Sequence, residues 1–389
     1  MKTIVNIIDT QDPLPAYLFV KERYEEGDRL LFIAAYGQGW MVKHMTKQLQ
    51  MDSTMVHAAI METQEDGHKY EHICRRVMPI LSQKMHYDVN LAGGTRYMCL
   101  SVQRLFEDYN ASFFYIKTRE NEIVASTFNN TLYDEDDIVT PISYRMNLSE
   151  YLSLHGLKDD LAVNHHMPIR DRETVNCFFR AYGYGQLTNE DFETLDDLRI
   201  HYRDFRGTLN LHALKTKGIG RRNPPLKNIY QLFQHCGFVP ASPQELSDKE
   251  VDYLTGGWFE QYVYYLVRDG VRPDDIAIDV HIARPYDNTG HDNELDVIFI
   301  RNNRLFVIEC KSGISTDRLF NEIVYKATAL REALLGIACH SYIFSLKADA
   351  RDEHLYKIAR HMGIIFCDRH CLTSEEIVDV FHQMKEASQ

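Results

Sequence analysis

The chain lacks a membrane span. Nowhere in its 389 residues are there the roughly eighteen consecutive apolar residues that a crossing needs. A secretory leader is not expected either. Met1-Lys2-Thr3-Ile4-Val5-Asn6-Ile7-Ile8-Asp9 reads as a strand closing on an acid, too short for a signal peptide and without a cleavage-site pattern. Eight cysteines are scattered without framework spacing, which argues against a disulfide scaffold and points to a reducing cytoplasm. Cys367-Asp368-Arg369-His370-Cys371 has no second pair at finger spacing, so a structural zinc site is not expected. Basic charge is also short. A net charge of −13 argues against a protein that coats nucleic acid by bulk electrostatics. It does not exclude an enzyme that grips a strand locally while metal ions neutralise its carboxylates. Lys215-Thr216-Lys217-Gly218-Ile219-Gly220-Arg221-Arg222, with Lys227 beyond, reads chiefly as a solvated loop, with a contact to a substrate strand as the alternative. Internal repeats and low-complexity tracts are absent.

What is present is enough apolar residue, 44%, to build a core in each of two or three domains. The first part alternates strands and helices. Strands are expected over Ile4 to Ile8, Arg29 to Ala35, Met55 to Ile60, Tyr87 to Leu91 and Ala111 to Ile116. Helices are expected over Pro13 to Glu25, Trp40 to Gln50, Tyr70 to Met85 and Arg96 to Tyr109. Such alternation predicts a parallel, doubly wound α/β sheet, with ligands at the carboxyl ends of its strands. Candidate ligand residues stand there: Thr10 and Gln11 after the first strand, Gly37 and Gln38 after the second, and Gly93, Gly94, Thr95, Arg96 and Met98 after the fourth. Two glycines permit close backbone approach, Thr95 can cap a helix, and the helix amides face outward for a phosphate. The lysine-serine pair of a P-loop and the spacing of a dinucleotide fingerprint are both missing. A nucleotide that is bound but not hydrolysed as a triphosphate is therefore expected. Tight strand-to-helix turns alone would also use these glycines.

The sharpest signal lies late in the chain. His291-Asp292-Asn293-Glu294-Leu295-Asp296-Val297-Ile298-Phe299-Ile300 and Leu305-Phe306-Val307-Ile308-Glu309-Cys310-Lys311-Ser312-Gly313 read as a hairpin turning at Arg301 to Arg304. Alternation puts Glu309 and Lys311 on one face and Ile308 and Cys310 on the other, with Asp296 able to meet the polar face. Adjacent carboxylates on strands this apolar are costly unless a divalent cation, magnesium or manganese, lies between them. A lysine beside such a cation can orient water and offset charge growing on a phosphate. An exposed hairpin with a surface ion pair is the bland alternative. Upstream, Phe259, Val263, Leu266 and Val267 form a helical stripe that Glu260 borders, so Glu260 can reach inward.

These residues resemble the PD-(D/E)xK nuclease superfamily. Asp296 matches its aspartate, Glu309-Cys310-Lys311 its (D/E)-x-K element and Glu260 its helical acid, with Glu294-Leu295-Asp296 replacing the Pro-Asp of the name. Asn90 to Met98, after the fourth strand, looks like the ligand loop of a CARF domain. The two in one chain resemble the cyclic-oligoadenylate-activated CARF nucleases of type III CRISPR systems. The resemblance implies a Rossmann-like CARF domain over 1–145 and a restriction-endonuclease-like α/β domain over 250–389. It implies catalytic Glu260, Asp296, Glu309 and Lys311, with manganese or magnesium held by Asp296, Glu309 and Glu260. It further implies a homodimer activated by cyclic tetra-adenylate and cutting RNA and DNA, mainly single-stranded, away from membranes. Residues 146–249 are expected to be a helical or winged-helix connector, or part of an enlarged nuclease domain. Helix starts are expected at Asn147 and Thr188, a helix at Asn228 to Phe233 ended by Gly237, and a further helix over 317–335 flanked by Glu322, Tyr325 and Lys326. The competing readings are a constitutive restriction or repair endonuclease and a non-enzymatic nucleotide sensor.

Overall fold

A computed structural model describes residues 1–9, 12–126, 138–159, 169–219, 223–283, 293–312, 339–346, 357 and 359–387. Thr10, Gln11, His291, Asp292, Gly313, Arg221, Arg222 and the expected helix over 317–335 lie outside them.

The first sheet has seven strands: β1 (Thr3–Ile8), β2 (Arg29–Ala34), β3 (Val56–Ile60), β4 (Tyr87–Asn90), β5 (Ala111–Lys117), β6 (Glu122–Ser126) and β7 (Ile138–Pro141). Their spatial order is β3-β2-β1-β4-β5-β6-β7. The first five run parallel, with Val5 beside both Leu31 and Val89, and β6 and β7 add antiparallel. All of β1 is buried, which is why it reads as a continuous apolar run. The order reverses between β1 and β4. The five expected strands and four expected helices are all present, the helices as Leu14–Arg23, Gly39–Gln48, Tyr70–Val77 and Arg96–Phe106. The edge strands β6 and β7 were not anticipated; β7 is exposed along its length, so no burial pattern marks it.

The second sheet has the order β15-β14-β13-β12-β11-β8. Its strands are β8 (Lys158–Asp159), β11 (Asp275–Ala283), β12 (Asn293–Arg301), β13 (Arg304–Lys311), β14 (Cys339–Ser345) and β15 (Ile364–Cys367). Neighbours from β8 to β13 pair antiparallel, and β13, β14 and β15 pair parallel. A small separate ribbon pairs β9 (Thr208–Asn210) with β10 (Glu245–Ser247). Chain order thus runs from a Rossmann-like sheet through a helical middle to a mixed α/β sheet, the architecture expected.

Three cores hold these layers together. One packs Val5, Ile7, Leu31, Val89, Ile73, Val102 and Phe106 on the outer face of the first sheet. A second joins its inner face, through Tyr17, Phe19, Tyr151 and Leu152, to Ile298, Ile300, Leu305 and Val307 of the second sheet. The third covers the other face of that sheet, Val297, Phe299, Phe306 and Ile308, with helices of the middle segment through Phe178, Leu195, Leu198 and Phe233. The middle segment therefore shares a hydrophobic core with the second sheet. Its helix starts carry capping boxes, Asn147 with Glu150 and Thr188 with Asp191. Gly237 ends the helix Ile229–Cys236 at a left-handed φ of 68°, a C-cap that favours glycine. One cysteine pair is bonded, Cys367 to Cys371, four residues apart after β15, and the other six cysteines are thiols. No described helix is long and apolar enough to cross a membrane.

Candidate functional site

The hairpin of β12 and β13 turns on Asn302 and Asn303, with φ values of 48° and 61°. Two left-handed residues make the turn that matches strand twist, and asparagine tolerates that conformation. Pairing runs from Arg301 with Arg304 to Val297 with Ile308. Beyond the last pair the strands present Asp296 and Glu309, each 5% exposed. Asp296 Oδ2 accepts from the Cys310 N–H at 2.6 Å and from Lys311 Nζ at 3.3 Å. Lys311 Nζ lies 2.8 Å from Glu309 Oε1. Burial, then repulsion from Glu309, pushes the Asp296 carboxyl up to about 7 against the pull of Lys311. Burial alone would depress the Lys311 ammonium, yet Asp296 and Glu309 hold it above the ordinary lysine value. The lysine is thus a fixed cation between two acids.

Glu260 sits in the first turn of the helix Trp258–Gly270, which buries Phe259, Val263 and Val267. A kinked stretch, Tyr253–Gly257, in which Gly256 leaves the helical conformation, feeds it. Burial, then Asp296, Glu294 and Asp279 in that order, drives the Glu260 carboxyl well above the usual range, with Lys311 opposing. Glu260 therefore belongs to the same electrostatic cluster as the hairpin acids. Glu294, on the strand face of Asp296, is exposed.

Asp279 was missed. It lies on β11 between Ile278, paired with Val297, and Val280, paired with Leu295, so its place in register is opposite Asp296. Its φ of 53° is left-handed, a costly conformation inside a strand, and its side chain is 12% exposed, 3.5 Å from His281 Nε2. Ile276, Ile278, Val280 and Ile282 alternate at the period of a strand, the signal that would have found it.

Among the described residues no three His, Cys, Asp or Glu side chains converge at metal-ligand spacing. The donor chemistry nevertheless fits a hard divalent cation. Asp296 and Glu309 offer oxygen alone, and a cation between them would offset the repulsion that raises Asp296.

The second candidate site is at the order reversal of the first sheet. The Asp9 N–H donates to Gly93 O at 3.0 Å, and the Thr95 N–H donates to Asp9 Oδ2 at 2.9 Å. Thr95 Oγ1 accepts from the Met98 N–H at 3.4 Å, capping the helix Arg96–Phe106. Asn90 braces the loop from beneath, donating to Asn6 Oδ1 at 2.9 Å and accepting from the Ala92 N–H at 3.0 Å. Gly93 has φ +91°, and a Cβ there would lie 2.8 Å from Ile7 O. A Cβ on Gly94 would lie 2.6 Å from Ile7 Cγ2 and 3.1 Å from Cys99 Sγ. Both glycines pack so closely against β1 that a side chain at either position would collide with Ile7. Thr95 and Arg96 are exposed. The Met98 side chain is fully buried in the outer core and its N–H is taken by Thr95, so its placement as a ligand contact is corrected to packing. Gly37, at φ +83°, has open space around it. Gln38 begins the helix Gly39–Gln48 with Oε1 buried and without a hydrogen-bond partner among the described residues.

Two family models match: the Card1 CARF domain over residues 3–151 and the Card1-like endonuclease domain over residues 247–380. Among solved structures, the chain is similar to protein VC1899 from Vibrio cholerae, with a TM-score of 0.74 at 17% identity, over 100% of this chain and 98% of that one. It is also similar to Can2 from Sulfobacillus thermosulfidooxidans in complex with cyclic tetra-adenylate, with a TM-score of 0.68 at 18% identity, over 100% of both chains. At these identities the likeness is one of fold. No curated protein matches by sequence.

Proposed function

From a chain that joins a Card1 CARF domain to a Card1-like endonuclease domain, we propose a nuclease switched on by cyclic tetra-adenylate, cutting RNA and DNA, mainly single-stranded, with a divalent metal, in type III CRISPR antiviral defence. The cluster of buried Asp296 and Glu309 with half-buried Lys311 at the open end of the hairpin carries the chemistry. Two buried acids locked to one lysine are expensive to keep, and phosphodiester hydrolysis gives them a use.

Manganese or magnesium, held by Asp296, Glu309 and Glu260, would supply an activated water and neutralise charge on the phosphate. Lys311, held cationic by its two neighbours, stands where it can orient the attacking water and offset charge developing on a non-bridging oxygen. The Cys310 N–H fixes the Asp296 carboxylate, which keeps the acid, and through it the lysine, in one geometry. At the other site, the exposed Thr95 and Arg96 after β4, with Gly37 and Gln38 after β2 on the other side of β1, support binding of a phosphate-bearing ring. Thr10 and Gln11 belong to this proposal by sequence position. A ring with rotational symmetry is naturally shared by two sensor domains across a two-fold axis, so the active form is proposed as a homodimer.

The test is a cleavage assay on purified protein with labelled single-stranded RNA, single-stranded DNA and plasmid, with manganese or with chelator, and with or without cyclic tetra-adenylate. Cutting that needs both metal and ligand is the expected result. Equal cutting without ligand makes it a constitutive endonuclease. No cutting under any condition, with ligand bound, leaves a sensor alone.

A further inference from the structure

Asp296, Glu294 and Asp279 all raise the Glu260 carboxyl, Lys311 pairs with Asp296 and Glu309, and a nucleic-acid strand brings more negative charge to this cluster. The helical middle segment places a second cation against Ser312, the residue that follows Lys311. The helix Asn189–His201 starts on the Thr188 capping box and buries Leu195 and Leu198. Arg199, the next residue, reaches across to both segments that deliver the site. Its Nη2 donates to Thr255 O at 3.2 Å and to Ser312 Oγ at 3.3 Å. Thr255 lies in the kinked stretch leading into the helix of Glu260. Ser312 follows Lys311 directly. A second middle-segment residue grips the same point, since the Tyr182 hydroxyl donates to Ser312 O at 2.8 Å.

On the nuclease reading above, we propose that Arg199 is a substrate-binding residue that holds a phosphate of the nucleic-acid strand beside the one being cut. Both of its hydrogen bonds leave from one nitrogen, which fixes the guanidinium plane. A planar fork of five donors suits a phosphate, and the Arg199 side chain is 35% exposed. Nη1 lies 3.6 Å from Asp196 Oδ1, beyond hydrogen-bond length, and Asp196 is 66% exposed. An exposed pair of that kind holds weakly and yields to a phosphate. The middle segment then has a task in the reaction: it supplies a second cation beside the one that the hairpin provides in Lys311.

The alternative is that Arg199 merely ties Ser312 to Thr255, and three variants of the full-length protein separate the two. Arg199→Ala removes charge and tie, Arg199→Lys keeps the charge, and Ser312→Ala removes the tie alone. Each is measured with cyclic tetra-adenylate present, for binding of labelled single-stranded RNA and DNA across a salt series in calcium, and for KM and kcat in manganese. Losing one charge-assisted contact weakens binding by about tenfold or more. It also makes the slope of log affinity against log salt shallower by about 0.7 for a single strand. Arg199→Ala is expected to show both effects, with most of its loss in KM. Arg199→Lys restores the slope, and Ser312→Ala keeps it. A wild-type slope in Arg199→Ala, or an equal loss in Ser312→Ala, overturns the inference while the nuclease reading stands. A wild-type protein that neither binds nor cuts either strand overturns both.

Discussion

Asp296 holds its proton to about 7 because burial and the neighbouring Glu309 both disfavour its charge. An unfolded chain releases that proton near the ordinary aspartate value of about 3.9. Between these values the folded, metal-free protein binds more protons than the unfolded one. Its stability therefore falls as pH rises through this window, by at most about 1.4 kcal/mol per pH unit. Thermal denaturation of chelated protein should show a melting temperature that drops from about pH 5 to pH 7, and Asp296→Asn should flatten the drop; an unchanged slope in the variant would remove Asp296 as its source. Asp296→Asn and Glu309→Ala should also abolish cutting without unfolding the chain, because either change relieves a buried repulsion. Lys311→Ala should slow cutting by about 10²–10⁴, and comparable rates in single-turnover assays would make the lysine structural. The cluster was legible because a strand alternates faces, so Glu309-Cys310-Lys311 states its own geometry. Asp279 was less so: the alternation of Ile276, Ile278, Val280 and Ile282 marks its strand, but its place opposite Asp296 comes from register with the next strand and from a left-handed φ that the alternation does not reveal.

The loop after β4 shows how an element constrains its own test. Gly94 faces Ile7 and Cys99, so a bulky residue there would push β1 away from inside and confuse lost binding with lost fold. Arg96, exposed at the start of its helix, is the cleaner probe. Arg96→Ala should leave stability within about 0.5 kcal/mol and weaken cyclic tetra-adenylate in calorimetry; unchanged affinity would remove Arg96 from the ligand site. The elements themselves were readable where local signals suffice. Parallel strands announced themselves as short apolar runs, and Thr188, Asn147 and Gly237 marked helix ends through caps. What packs on what was not readable. Residues such as Phe178, Leu198 and Phe233 are apolar at helical spacing whether they form a separate connector or, as observed, cover the second sheet.

At the scale of the whole molecule, the hairpin that bears Asp296 and Glu309 at its open end has its turn seated in the first domain. Asn303, 1% exposed, donates to Asn121 Oδ1 at 2.8 Å and Tyr144 O at 2.9 Å, and its Oδ1 accepts from the Met146 N–H at 2.9 Å. Nearby the Leu148 N–H donates to Asp275 Oδ2 at 2.9 Å. Between these bonds, the inner core runs unbroken from the first sheet to Ile298, Ile300, Leu305 and Val307 of the hairpin. A ligand on the first domain shifts the second only if it prefers one arrangement of what joins them, and the seated turn is a rigid joint through which such a preference can act. Asn303→Gly keeps the left-handed turn, since glycine adopts that φ freely, while removing the amide that bridges the domains. The partners it leaves unpaired cost about 1–3 kcal/mol, comparable with the 1–3 kcal/mol typical of coupling between sites, a factor of about 5–150. The ratio of cutting with and without cyclic tetra-adenylate should therefore fall at least about fivefold in Asn303→Gly, in a protein that still melts cooperatively and still binds the ligand. Cleavage and calorimetry on the same preparation decide it: full stimulation in Asn303→Gly would mean that the signal reaches Asp296 by another route.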